Sequence, residues 1–266
     1  MSATASATLP VFFRYRTPRG FLAEFVSLFW YYRGHDVERS KERILPTGTT
    51  ELVINLGSGY GGIAGPQSES FIIQRRSADE LLGVHFHPGG AFPFLQFPSG
   101  ELRDLHVSIT DIWGEQAAEL LCRLHDAGDI EAKFQTLERW LMAVASRPLK
   151  HNAAVSFAMA EFQKDPGVLS SASMAERVGY SQRHFIELFH HEVGFTPKLF
   201  CRVQRFRNVI DAVQKLEDVD WADIALSCGY FDQSHFNHEF RRFSGLSPTD
   251  YLVLRTPHIN HVQEPD

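Results

Sequence analysis

The 266-residue sequence contains only three cysteines, Cys122, Cys201 and Cys228, far apart and in no paired spacing. Their scarcity excludes a disulfide framework and the usual zinc-ligand patterns; it suits a reducing compartment, with the thiols read as small buried hydrophobes. No stretch approaches the roughly 20 apolar residues of a membrane span. The opening residues MSATASATLP lack the basic start and apolar run of a secretion signal. A cytoplasmic location with no membrane partner is expected. Excess positive charge is missing as well, the formal net charge being −6. Bulk charge therefore gives no support to a nucleic-acid partner, whose phosphates are held chiefly by Lys and Arg. The run GSGYGG, Gly57 to Gly62, lacks the Lys-Ser/Thr ending of a phosphate-binding loop and reads as a turn.

Core-forming material is abundant: 44% of residues are hydrophobic and 22 are Phe. Such a composition belongs to a folded chain, and the length suits two domains of about 100–150 residues each. From Leu9 to Pro98 the text is rich in β-branched and aromatic residues broken by turns at Pro18 to Gly20, Gly57 to Gly62 and Pro88 to Gly90. Glu51 to Gly57 and Leu81 to His87 have strand length, and their apolar runs suggest burial on both faces. After Pro98 the period changes. A helix is expected from Asp111 to about Asp126 and another from Asp129, with a stripe of Ile130, Phe134, Leu137, Leu141 and Val144. That stripe is a candidate dimer surface, and equally a candidate for packing inside its own domain. The resulting fold class is α+β: a β-rich region at 1–145 with two following helices, a linker at 146–152, an all-α region at 153–256 and a tail at 257–266.

The all-α region repeats itself. MAERVGYSQRHFIELFHHEVGFTP, from Met174, is echoed by IALSCGYFDQSHFNHEFRRFSGLSP, from Ile224. Ala175 matches Ala225, Gly179 matches Gly229 and Tyr180 matches Tyr230. After one inserted residue, His184 matches His235, Phe185 Phe236, Phe189 Phe240, Gly194 Gly245 and Pro197 Pro248. So many coincidences indicate a duplicated unit. Each copy has helix-turn-helix logic: a short helix with a small residue on its packing face, a glycine turn, a capping Ser181 or Asp232, then an amphipathic helix closed by glycine. Between the copies a helix is expected from Pro197 to about Leu216, capped by Thr196. At about 20 residues it would span ~30 Å, close to the ~34 Å turn of a duplex.

IALSCGYFDQSHFNHEFRRFSGLSPTDYL resembles the signature of the AraC/XylS family of bacterial transcription regulators. The Ile-Ala before the glycine, Phe-x-x-x-Phe, and Gly-x-Ser-Pro with a Tyr three residues on stand together at family spacing, and the likeness covers roughly Asn152 to Arg255. RILPTGTTELVINLG, GVHFHPGG and DIWG also resemble an uncharacterised domain found ahead of such modules. The resemblance implies a sequence-specific DNA-binding regulator, activator or repressor, that reads two successive major grooves of an operator. It further implies contact with RNA polymerase and no enzymatic activity, while the β-rich N-terminal text followed by two amphipathic helices suggests a small-molecule-sensing and self-association domain, with a homodimer as a candidate state. Residues carried over to the DNA face are Gln182, Arg183, Ile186, Glu187 and His190 in the first reading helix. In the second they are Gln233, Ser234, His235 and His238, with Arg241 and Arg242 gripping the backbone.

Three features temper or compete with this assignment. From His151 to Thr256 there are eleven Lys or Arg against thirteen Asp or Glu, so the DNA-binding part is not basic. Arg202, Arg205, Arg241 and Arg242 are expected to offset the deficit, together with His184, His190, His191, His235 and His238, whose protonation would raise DNA affinity as pH falls from about 8 to 6. Glu187 stands where the family commonly has a basic residue; it can accept from cytosine N4 or repel phosphate. Lastly, His85 and His87 lie two apart on an expected strand and would share a face, as in cupin-type metal sites. The alternative function is therefore a cupin-like metal-dependent enzyme or sensor with an accessory DNA-binding domain. No glutamate follows at the cupin spacing, so no metal and no cofactor is expected. A Pro-Cys-His-Arg sequence of the alkyl-transferring regulators is absent too.

Overall fold

The computed structural model describes residues 12–34, 40–75, 79–167, 170–214 and 216–264. Eight strands come from the first 108 residues: β1 (Phe12–Arg16), β2 (Val26–Arg33), β3 (Ser40–Ile44), β4 (Glu51–Asn55), β5 (Tyr60–Ala64), β6 (Phe71–Arg75), β7 (Glu80–Phe86) and β8 (His106–Ser108). Six of them form an antiparallel sheet in the order β1-β2-β7-β4-β5-β8. Alternation along these strands sends Phe29 and Tyr31, Leu52 and Ile54, and Leu82, Val84 and Phe86 to one buried face. The second face is only partly covered, so β4 alternates where burial on both sides was expected. Gly83 belongs to that second face because the indole of Trp30 lies across it; a Cβ there would come within 2.3 Å of the ring.

The buried face is closed by helices α1 (Ile109–Trp113), α2 (Glu115–Asp126) and α3 (Ile130–Val144). The single helix expected from Asp111 is broken at Gly114, whose φ of 52° cannot continue a right-handed helix. Asp129 caps α3 by accepting from the Ala132 N–H. The α3 stripe resolves in favour of its own domain: Phe134, Leu137, Leu141 and Val144 join the same core as Phe29 and Leu82, with Ile130 packed against it. A stripe consumed by the core has no area left for a partner.

The rest of the chain builds α4 (Ala153–Lys164), α5 (Ser171–Arg177), α6 (Gln182–Val193), α7 (Pro197–Val213), α8 (Trp221–Ser227), α9 (Gln233–Ser244) and α10 (Pro248–Leu254), followed by β9 (His261–Gln263). Seven helices of this region share a second core, to which Leu45 of the β-rich region and Val262 of β9 also belong. Residues 257–266, expected only as a tail, supply β9, which pairs with β3 in a small sheet of order β6-β3-β9. The Arg43 guanidinium fastens it, donating to both Glu264 oxygens at 2.9 and 2.8 Å. Ser70 then reaches the second repeat, its N–H donating to the Phe243 carbonyl and its hydroxyl to that of Ser244, both at 2.9 Å.

Candidate nucleic-acid interface

Local chemistry explains why the duplicated text folds twice into one shape. At the end of α5 the Gly179 N–H donates to the Glu176 carbonyl and the Tyr180 N–H to Ala175; at the end of α8 Gly229 and Tyr230 repeat this toward Leu226 and Ala225. Gly179 and Gly229 have φ of 75° and 79°, a left-handed turn that a Cβ would penalise. Ser181 then accepts from the His184 N–H, and Asp232 from that of His235, opening α6 and α9. Phe185 and Phe189, and Phe236 and Phe240, are fully buried, fixing which side of each reading helix turns inward. Ala175 and Ala225, 1% and 0% exposed, permit the close helix contact their size suggests.

The outward faces follow from helical spacing. In α9, with about 100° between residues, Gln233, Ser234, Asn237, His238, Arg241 and Arg242 fall on one side, and all are exposed. Asn237 was not singled out from sequence, although its place between Ser234 and Arg241 puts it mid-face. His235 is exposed but its ring leans edge-on against Tyr230 at 5.6 Å, as His184 does against Tyr180 at 4.8 Å. In α6, Gln182, Arg183 and Glu187 are exposed and Ile186 half-buried. Arg183 donates to Glu187 at 2.9 Å, so the acid partly neutralises this exposed cation. His190 differs from the rest. It lies on the same outward arc, yet it is half-buried against Gly100 of the 3-10 turn Ser99–Leu102.

Two of the four arginines expected to offset the charge deficit are committed elsewhere. Arg202 makes a two-point pair with Glu239, 2.7 Å for each bond, and Arg205 donates to the Gly229 carbonyl while lying over the Tyr230 ring. Only Arg241 and Arg242 of that set are exposed on α9. On the first domain, the His85 Nδ1 is hydrogen-bonded to Glu51 at 2.5 Å, and the other Glu51 oxygen accepts from the Trp30 indole. The Glu51 charge and hydrogen bond raise the His85 pKa although burial opposes them. His87, by contrast, is held below the usual histidine range by burial and by His85 nearby. Among the described residues no group of three His, Cys, Asp or Glu could hold a metal ion, and no helix is long and apolar enough to cross a membrane.

Two helix-turn-helix units on one connecting helix define the class of this region. Residues 174–253 match the family described as a helix-turn-helix domain, and residues 14–108 the one described as a domain of unknown function (DUF6597). Residues 174–253 thus carry a helix-turn-helix domain, behind an N-terminal domain of unknown function. The probable transcriptional regulator LumQ of Photobacterium leiognathi is 31% identical over 86 residues, 31% of this chain and 33% of that protein. The chain therefore spans about a third of the length of this curated relative. Among solved structures, the C-terminal domain of AraT, a response regulator from Geobacillus stearothermophilus, is similar with TM-score 0.38 and 23% identity, over 40% of this chain and 89% of that one. ToxT from Vibrio cholerae is similar along 91% of this chain and 98% of its own, with TM-score 0.44 and 10% identity.

Proposed function

We propose that the protein is a sequence-specific, double-stranded-DNA-binding transcription regulator that reads two successive major grooves with α6 and α9. The observation that carries this is the repetition of one capped, outward-polar reading helix on either side of α7. The 17 residues of α7 give it a length of about 25 Å, comparable with the ~34 Å turn that separates successive grooves. The second helix dominates, because its face offers Gln233, Ser234, Asn237 and His238 without an acid, whereas Arg183 must leave Glu187 before it can reach guanine. Contact with RNA polymerase is what the family resemblance adds, and the β-rich N-terminal domain with its two following helices motivates control by a small-molecule effector. The division into a domain at 1–145, a linker at 146–152 and a DNA-binding domain at 153–256 draws support from the presence of two cores, although Leu45 and Val262 join the second from outside 153–256.

Alanine at Gln233 is expected to weaken binding roughly tenfold or more at one base position and to relax preference there; alanine at Arg183 should act the same way but less strongly. Replacing Arg241 and Arg242 together should weaken binding evenly across sequences and reduce the salt slope by about two. Titration of variant duplexes at several salt concentrations checks both. Unchanged affinity and preference in the Arg183 and Gln233 variants would remove these helices from the reading role.

A further inference from the structure

The outward faces of the two reading helices differ at several register positions, and one of those differences lies against the N-terminal domain. Aligned on the repeat, His190 and His191 of α6 correspond to Arg241 and Arg242 of α9. The arginines are exposed. The histidines are covered: a Cβ on Gly100 would come within 2.2 Å of the His190 ring, and His191 meets the Phe92 ring edge-on at 5.0 Å. Beyond them, Gly194 closes the helix against Pro66 and the Ser99 carbonyl. The N-terminal domain therefore sits on the C-terminal turn of the first reading helix, on the side that would approach DNA.

Both cations and carboxylates stand around this contact. Arg103 follows the turn, drawn 3.5 Å from the Asp104 carboxylate. Arg147 lies over the outer Phe92 at 4.4 Å. His151 stacks on Phe25 at 4.7 Å and stands 3.7 Å from Glu192, and His87 is near enough to feel it. Glu101 in the turn is exposed to solvent, while Glu192 is buried and already accepts the Asn152 N–H. On α6 itself Glu187 is tied to Arg183. A proton added to His190 is thus opposed by burial and by the charges of Arg103 and His191.

We propose that the turn Ser99–Leu102 is an autoinhibitory clasp on the first reading helix, which protonation of His190 releases. Neutral, the imidazole fits flat against the bare Gly100 backbone and holds the N-terminal domain over α6. Protonated, it is expelled toward solvent, where it occupies the place that Arg241 holds in the second unit and becomes a phosphate ligand. Burial, then Arg103 and His191, hold the docked His190 below the usual histidine pKa. The sign follows: docking is complete above the free-histidine value of about 6.5 and weakens as pH falls below it. The limit is about tenfold in the docking constant per pH unit for each coupled histidine.

Only the consequence for DNA rests on the function proposed above, so the clasp is tested without DNA. Amide hydrogen exchange of the full chain across residues 186–194, corrected for the intrinsic pH dependence of exchange, reads docking directly. Protection is expected to fall about tenfold between pH 7.5 and 5.5. His190→Gln should cut that change to less than about twofold, since one ring supplies most of the coupling. Gly100→Ala, which drives a methyl group into the ring, should lower protection already at pH 7.5. Equal protection at both pH values in the natural protein, or an undiminished pH response in His190→Gln, would overturn the clasp while leaving DNA binding intact. Failure to bind any duplex at either pH, with the exchange response present, would overturn the DNA-reading function instead.

Discussion

Arg202→Ala is expected to cost the C-terminal region about 3–5 kcal/mol, far more than loss of a surface cation. Glu239 is 5% exposed and both its oxygens depend on the Arg202 guanidinium. Burial alone would raise the Glu239 pKa, but the hydrogen bonds and charge of Arg202 outweigh it and hold the carboxyl below its ordinary value. A depressed carboxylate contributes stability above the unfolded pKa of about 4.3, and loses it as pH falls through the lower folded value. In Arg202→Ala burial acts unopposed and the direction reverses. The deficit relative to the natural protein should therefore be large at pH 7 and shrink toward pH 4. Urea unfolding at both pH values measures it, and Arg202→Met with Glu239→Leu should recover most of the loss, since a buried pair often contributes little over well-packed apolar residues. A deficit under about 1 kcal/mol in the single variant would mean that Glu239 finds water or another donor.

The second large effect is expected in the N-terminal domain. Phe134 is 3% exposed, packs 6.3 Å from the Phe29 ring and lies under the Arg16 guanidinium. Truncation to alanine should cost about 3–5 kcal/mol. Phe134→Asp adds a buried charge beside Arg16, which already serves Glu131 and Glu138 at 2.6 and 2.5 Å. The sum is comparable with the whole stability of a domain, about 5–15 kcal/mol, so cooperative unfolding of this region should disappear. Met142→Asp, on the outward side of the same helix at 46% exposed, should change stability by no more than about 0.5 kcal/mol. A Phe134→Asp protein that unfolds like the natural one and differs only in sedimentation would restore α3 as a dimer surface.

What was legible in the sequence was what neighbours in the chain decide. The caps Ser181, Asp232 and Thr196 each act on an N–H three residues on, and the glycines at 179 and 229 set turns that depend on nothing distant. Hence the duplicated unit, its reading helices and α7 could be placed, although α7 ends at Val213 rather than near Leu216. Contacts made across long loops were not legible. Arg202 resembled a free cation because its partner stands 37 residues on. His190 resembled its neighbours on the polar face because nothing near it in the chain announces Gly100. β9 escaped notice because three residues with one buried side chain, Val262, carry no period to detect. Within the candidate site, the polar arc of α9 was nearly complete from spacing alone and lacked only Asn237.

The central claim is that α6 and α9 together read a duplex, and selection of bound sequences from a random duplex pool tests it most directly. The account predicts enrichment of one asymmetric motif with two conserved blocks centred about 10 base pairs apart, the block read by α9 being the stronger, and loss of preference at a single position in Gln233→Ala. Recovery of unenriched sequence by folded protein, or a motif of one block unaltered by Gln233→Ala, would contradict it.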